Sequence, residues 1–151
     1  MYVAILVLTM FVLPALSVGL ALVLGSEAGW ATLLGQWFVF WAVGVRLMLA
    51  GLRQWLQPEF TAREIFRFTG NEAQQVIQEL GFANISMATL GLIAVAAPGF
   101  VLPAAVAGTV FYGAAGIRHI PTPDKTRNET TAMATDLWAA AVLAVVVLTH
   151  I

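Results

Sequence analysis

The sequence predicts an all-α protein, a polytopic bundle of five transmembrane helices with one short helix at the membrane interface. The chain is 60% hydrophobic and has a mean hydropathy of +0.88. Only 10% of its residues are charged, whereas soluble domains carry about 25%. Its apolar runs also reach the roughly 20 residues that a helix needs to cross a bilayer. The excess apolar surface must therefore face lipid.

The first two predicted spans cover about residues 2–24 and 30–53, on either side of a polar turn at 25–29. The first run has no Lys or Arg before it, and it is longer than the 7–15 apolar residues typical of a signal peptide. We therefore expect it to be a retained span.

A short interfacial helix is expected at about residues 62–69, where charged residues alternate with aromatic ones. Thr61 and Glu64 have the spacing of a capping box that would open this helix, and Gly70 could close it. A helix of this kind lies in the headgroup plane with its aromatic side chains in the acyl boundary.

The last three predicted spans cover about 72–97, 100–120 and 130–151. Asn71 is the expected N-cap of the third span. The pair Thr122-Pro123 resembles an N-cap followed by the first residue of the last helix. Ala104-x-x-x-Gly108 predicts close packing of the fourth span, which we favour within the monomer over a dimer face.

The basic residues predict the orientation, because cytoplasmic loops carry an excess of Lys and Arg. With a cytoplasmic N-terminus and an external C-terminus, every basic residue outside a span interior falls on the cytoplasmic side. These residues are Arg53, Arg63, Arg67, Arg118, Lys125 and Arg127. The expected location is the inner (plasma) membrane.

Arg46 stands within an otherwise apolar run, FWAVGVRLMLAG. It shares a helical face with Ala42, Ala50 and Arg53, a pattern typical of a side that faces other helices. An unpaired arginine at this depth costs at least ~2.5 kcal/mol, so a partner is expected. Glu79 is the first candidate and Asp136 the second, because their depths match that of Arg46.

A polar cluster is therefore expected on the cytoplasmic half of the bundle. It is either an ion pair that fixes helix order or a half-open pocket for an anionic headgroup, a quinone or a small solute. Its predicted members are Arg46, Glu79, Asn84, Arg118, His119, Glu129 and Asp136.

Other chemistry finds little support in the sequence. His119 could join the carboxylates in a metal site, but metal-ligand spacings such as H-x-x-x-H are absent, and a partner of the helix dipole is the favoured interpretation. His119 and His150 would lie on opposite membrane faces, too far apart to ligate one haem. A net charge of −1 argues against nucleic-acid binding. We expect no cofactor, no metal and no catalytic residue.

Several segments resemble small bacterial inner-membrane proteins grouped as a family of unknown function. They are GQWFVFWAVGVRLMLAG, PEFTAREIF, ELGFAN, FYGAAGIRHI and NETTAMATDL. A looser resemblance is to DoxX-like membrane proteins, which usually have four helices and are sometimes linked to quinone or thiol redox chemistry. The resemblance implies a polytopic membrane protein without an assigned role.

Three functions remain open from the sequence. The first is a non-enzymatic membrane module that binds lipid and acts as a homo-oligomer or as an accessory subunit of a larger membrane complex. The second is a transporter of a small solute or protons, and the third is an intramembrane enzyme acting on a lipid or quinone. Both alternatives would use Arg46, Glu79 and Asp136.

Overall fold

The computed structural model describes residues 2–66 and 73–151, which form helices joined by turns with no strand among them. Within this part of the chain, five helices are long and apolar enough to cross a membrane. They are α1 (Val3–Val23), α2 (Trp30–Leu56), α4 (Ala73–Ile93), α5 (Pro98–His119) and α6 (Arg127–His150). The short helix α3 occupies 58–65. The predicted fold class is confirmed.

Two predicted helix starts are wrong. Helix α3 begins at Pro58 rather than after Thr61, because proline suits the first turn, where the N–H has no intrahelical partner. Thr61 already has helical backbone angles there. Helix α6 is capped by Thr126 and not by Thr122, and Thr126 forms a capping box with Glu129. The predictions for residues 67–72, including Gly70 and Asn71 as cap residues, lie outside the described residues.

Two of the spans contain a π-helical segment, in which the chain makes wider turns than in an α-helix. One runs Leu8–Val12 in α1 and the other Val39–Val45 in α2. Such segments often lie next to functional sites. The second ends immediately before Arg46 and therefore sets the direction of that side chain.

Helices α2 and α4 pack through two pairs of glycines. A Cβ added to Gly44 would lie 2.9 Å from the carbonyl carbon of Gly91, and one added to Gly51 would lie 2.6 Å from the carbonyl oxygen of Gly81. The two backbones therefore touch at both places. Close approach of this kind stabilises helix pairs in membranes through van der Waals contact.

Helices α5 and α6 pack through the small-residue face predicted on the fourth span. A Cβ on Gly108 would meet Leu143, and one on Gly116 would meet Leu137 at 2.7 Å. Ala104 on the same face is also buried. This face packs within the chain, as the favoured interpretation predicted.

The buried apolar core lies in the half of the bundle that contains the C-terminal end of α6. Phe38, Val39, Val43, Leu143 and Val146 are all buried there. Many large apolar side chains point outward instead, as expected for a surface in contact with lipid. Examples of these exposed side chains are Leu16, Leu20, Val110, Ile117 and Leu148.

Candidate ligand-binding cavity

Arg46 forms an ion pair with Asp136, between α2 and α6. Its Nη2 lies 2.7 Å from Oδ1 of Asp136, and each residue is only 8% exposed. The aromatic ring of Tyr112 lies against the guanidinium, with 4.7 Å from Cζ to the ring centroid. Charge pairing and a cation–π contact therefore accommodate the buried arginine together.

The π-helical segment and Tyr112 together hold Arg46 in this direction. In an α-helix the Arg46 N–H would bond to the carbonyl of Ala42. Here it is directed at the carbonyls of Trp41 and Val43. The Ala42 carbonyl accepts a hydrogen bond from the Tyr112 hydroxyl instead, which ties α2 to α5.

A cavity of about 190 Å³ lies beside this ion pair. It is at the end of the bundle where α2 and α5 finish and where α1, α4 and α6 begin. All five spanning helices and α3 contribute to its walls. The lining residues that carry the argument below are Arg46, Arg53, Gln54, Asn84, His119 and Asp136.

Arg53 lies on one side of the cavity, seven residues after Arg46 on the same helix. Its guanidinium stacks on Phe60 of α3, with 3.5 Å between Cζ and the ring centroid. Helix α3 therefore covers Arg53 and also supplies Thr61 and Ile65 to the cavity wall, and Phe66, the residue after α3, lines it too. The aromatic face leaves the edge of the guanidinium available for an anion.

Asn84 and Gln54 form a polar pair across the contact of α2 with α4. The Asn84 Nδ2 donates a hydrogen bond to Gln54 Oε1 at 2.7 Å. Asn84 is 1% exposed, and the small residue Gly81 one turn earlier lets the helices approach closely enough for this bond.

Three buried polar atoms in the cavity wall have no hydrogen-bond partner among the described residues. They are Nε of Arg53, Oδ1 of Asn84 and Nδ1 of His119. Proteins seldom leave buried polar groups unsatisfied, and each such group costs about 1–3 kcal/mol. All three atoms belong to residues that line the same cavity.

Four of the seven predicted cluster residues line the cavity, namely Arg46, Asn84, His119 and Asp136. The other three do not. Glu79 is exposed on α4, so the prediction that it is the first partner of Arg46 is wrong, and Asp136 takes that place. Arg118 is exposed beside Phe66, and the buried Glu129 accepts the Thr126 N–H at the start of α6.

The predicted cluster omitted several cavity residues. The sequence predicts Arg53 only as sharing a face with Arg46, and it does not single out Tyr112, Gln54 or Thr61 for the site. A signal for Gln54 was present, because it lies three residues after Gly51 and so falls on the face that packs against α4.

No group of three or more His, Cys, Asp or Glu side chains close enough to hold a metal occurs within residues 2–66 and 73–151. His119 is buried at the end of α5, near the negative end of the helix dipole.

Five apolar helices around a cavity with a buried ion pair define a multi-pass α-helical membrane protein. Residues 4–151 match the model of DUF6790, a family of unknown function, and the chain belongs to that family. No curated protein and no solved structure matches the chain. The looser resemblance to DoxX-like proteins stays a resemblance.

Proposed function

We propose that this chain is a non-enzymatic integral membrane protein that binds the anionic headgroup of an amphiphile in the cavity. The observation that carries the proposal is Arg53, a cation in the cavity wall whose buried Nε has no hydrogen-bond partner within the described chain. An anionic oxygen would accept from this N–H, and charge-assisted hydrogen bonds are among the strong ones.

The charge balance of the cavity also favours an anion. Arg46 and Asp136 neutralise each other in their ion pair. Arg53 then adds a positive charge, while Asp136 is the one carboxylate among the lining residues that the structure describes. In the low dielectric of the bilayer the charge of Arg53 attracts an anion more strongly than it would in water.

The same geometry favours binding over acid–base chemistry. A general base needs a carboxylate that can reach a substrate proton. Asp136 is instead held by Arg46 at 2.7 Å. In the other half of the bundle the apolar side chains of Phe38, Val39 and Leu143 are buried, which does not favour a polar solute path across the membrane.

We also infer that the cavity faces the cytoplasm in the bacterial inner membrane. Arg53, Arg63, Arg118, Lys125 and Arg127 all lie at the end of the bundle that holds the cavity, in agreement with the positive-inside rule. The resemblance to bacterial inner-membrane proteins supports the choice of membrane. Assembly with a second copy or within a larger membrane complex stays a prediction.

Binding of defined lipids to purified, delipidated protein tests the proposal. Dissociation constants for phosphatidylglycerol and phosphatidylcholine would be measured by native mass spectrometry in detergent. We expect the wild-type protein to bind phosphatidylglycerol more tightly than phosphatidylcholine. Arg53→Gln should bind phosphatidylglycerol about tenfold more weakly than the wild type, because one charge-assisted hydrogen bond is removed.

Arg63→Gln is the matched control, since Arg63 is exposed on α3 and does not line the cavity. It removes the same charge from the same end of the molecule. Equal losses in both variants would mean that general surface charge attracts the lipid, and this result would contradict a cavity site. So would unchanged binding by Arg53→Gln.

A further inference from the structure

We propose that the cavity selects a phosphodiester headgroup of the glycerophosphate type, which carries a free hydroxyl. Asn84 accepts a hydrogen bond from this hydroxyl. The inference rests on the proposed function, because it specifies which anionic headgroup the same cavity binds. The phosphate would contact Arg53 and the hydroxyl would contact Asn84, with His119 as a further polar partner.

The hydrogen-bonding roles of the unpartnered atoms lead to this ligand class. Arg53 Nε can only donate, so it requires an acceptor such as a phosphate oxygen. Asn84 Oδ1 is a carbonyl oxygen and can only accept. The amide nitrogen of the same side chain already donates to Gln54. A phosphodiester without other polar groups has no donor and would leave Asn84 Oδ1 unsatisfied. The ligand must therefore supply a donor as well.

A hydroxyl satisfies this requirement better than an ammonium group. An ammonium could also donate to Asn84, but it would bring another positive charge to a wall in which the described residues supply Arg46 and Arg53 and a single carboxylate, that of Asp136. Like charges at short distance in a low dielectric repel strongly. A neutral hydroxyl avoids this cost. Nδ1 of His119 can donate or accept according to its tautomer, so it can pair with either part of the headgroup.

The size of the cavity agrees with a headgroup and excludes a whole lipid. A cavity of about 150 Å³ in another protein holds one benzene molecule. The 190 Å³ found here therefore accommodates a polar fragment only somewhat larger than that. Leu49 lines the cavity and is also 45% exposed on the outer surface of the bundle. Acyl chains can therefore remain in the bilayer while the headgroup enters beside Leu49.

Two lipids of equal charge distinguish hydroxyl recognition from anion binding. Phosphatidylglycerol and phosphatidylpropanol with identical acyl chains differ in the headgroup hydroxyls alone. Native mass spectrometry of the delipidated wild-type protein should show about tenfold tighter binding of phosphatidylglycerol, because the propanol lipid leaves Asn84 Oδ1 without a partner. This comparison requires no variant, so a folding defect cannot obscure it.

Asn84→Leu should remove the preference by weakening phosphatidylglycerol binding about tenfold while leaving phosphatidylpropanol binding unchanged. Asn84→Ala, which is smaller and cannot clash, should do the same. Gln36→Leu is the matched control. Its amide donates to the carbonyl of Val95 at 3.1 Å and lies outside the cavity, so the wild-type preference should persist.

The outcomes separate the two proposals. If both lipids bind equally and both depend on Arg53, hydroxyl recognition is wrong and the anion site stands. If neither lipid shows binding that depends on Arg53, the proposed function itself is wrong. Competition with soluble glycerol phosphate then shows whether the natural ligand is a soluble molecule or a membrane lipid. Displacement of the lipid at equal concentration would indicate a soluble ligand of the same chemistry, and persistence of the lipid would indicate a membrane ligand.

Discussion

Arg46 shows how one charged side chain organises three helices. Its carboxylate partner is on α6, its aromatic contact is on α5, and its own backbone lies after the π-helical segment of α2. Removing one member of a buried ion pair leaves the other charge uncompensated, which is costly, whereas replacing both members by apolar residues is often neutral. This asymmetry gives a direct test of the pair.

We expect Asp136→Leu to lower the free energy of unfolding by about 3 kcal/mol or more, because Arg46 loses the carboxylate that neutralises it. The double variant Arg46→Met/Asp136→Leu should recover most of this loss. Chemical unfolding in detergent, followed by circular dichroism, measures both effects. Glu79→Gln is the control and should match the wild type, since Glu79 is exposed. A double variant no more stable than Asp136→Leu would contradict the argument.

Tyr112→Phe should cost about 1–2 kcal/mol in the same unfolding experiment, because the Ala42 carbonyl loses the hydroxyl that satisfies it. Thr109→Val removes a hydroxyl from the same helix, but one that bonds only to the carbonyl of Ala105 within α5. That variant should be nearly neutral. Equal effects of the two variants would show that the Tyr112 bond does not join the helices.

The choice between Glu79 and Asp136 shows what depth alone cannot predict. Counting residues from the helix ends gives both carboxylates the depth of Arg46, but it says nothing of their direction around the helix axis. Glu79 lies two residues from Ile77 and two from Gly81, both buried, and two residues correspond to about 200° of rotation. It therefore points away from the bundle. Asp136 shares the buried face of Ala132 and Ala139.

At the scale of elements, the helix starts and the π-helical segments were the least predictable features. Thr61 and Glu64 have capping-box spacing, yet Pro58 opens α3 three residues earlier. Two cap signals compete over a few residues, and the tertiary contacts decide between them. The π-helical segment Val39–Val45 leaves no pattern in the sequence, and its Ala42 carbonyl accepts a hydrogen bond from Tyr112, which is 70 residues away.

The contact of α2 with α4 depends on glycine at its crossing points. We expect Gly91→Ala to lower the free energy of unfolding by about 1–3 kcal/mol, because its methyl group would overlap the backbone of Gly44 and push the helices apart. Gly19→Ala is the matched control on α1, where a Cβ meets nothing within 4 Å. It should be neutral or stabilising, since alanine favours helix more than glycine does. Similar losses in both variants would contradict the close crossing.

For the whole molecule, hydropathy was sufficient to predict five spans, because each apolar run is long and bounded by polar turns. It was not sufficient to predict the cavity. The cavity arises where α3 packs beside α2, α4 and α6, and Phe60 and Arg53 meet there by tertiary packing. Arg46, Asn84, His119 and Asp136 are predictable because polar side chains in apolar runs are conspicuous. Gln54 is harder to predict, because it lies in the polar end of α2.

The distribution of basic residues predicts one orientation for the molecule, and the chain suits a direct test because it contains no cysteine. Single cysteines would replace Ser26 and Pro123, which are exposed in two different turns, and Gly99, which is exposed at the start of α5. With a cytoplasmic N-terminus, a membrane-impermeant maleimide added to spheroplasts should label Ser26→Cys and Gly99→Cys. It should label Pro123→Cys only after permeabilisation, because the turn containing Lys125 would face the cytoplasm. A permeant maleimide that labels all three variants is the control. The reverse pattern would place the cavity, with Arg53 and His119, on the external side and overturn the orientation.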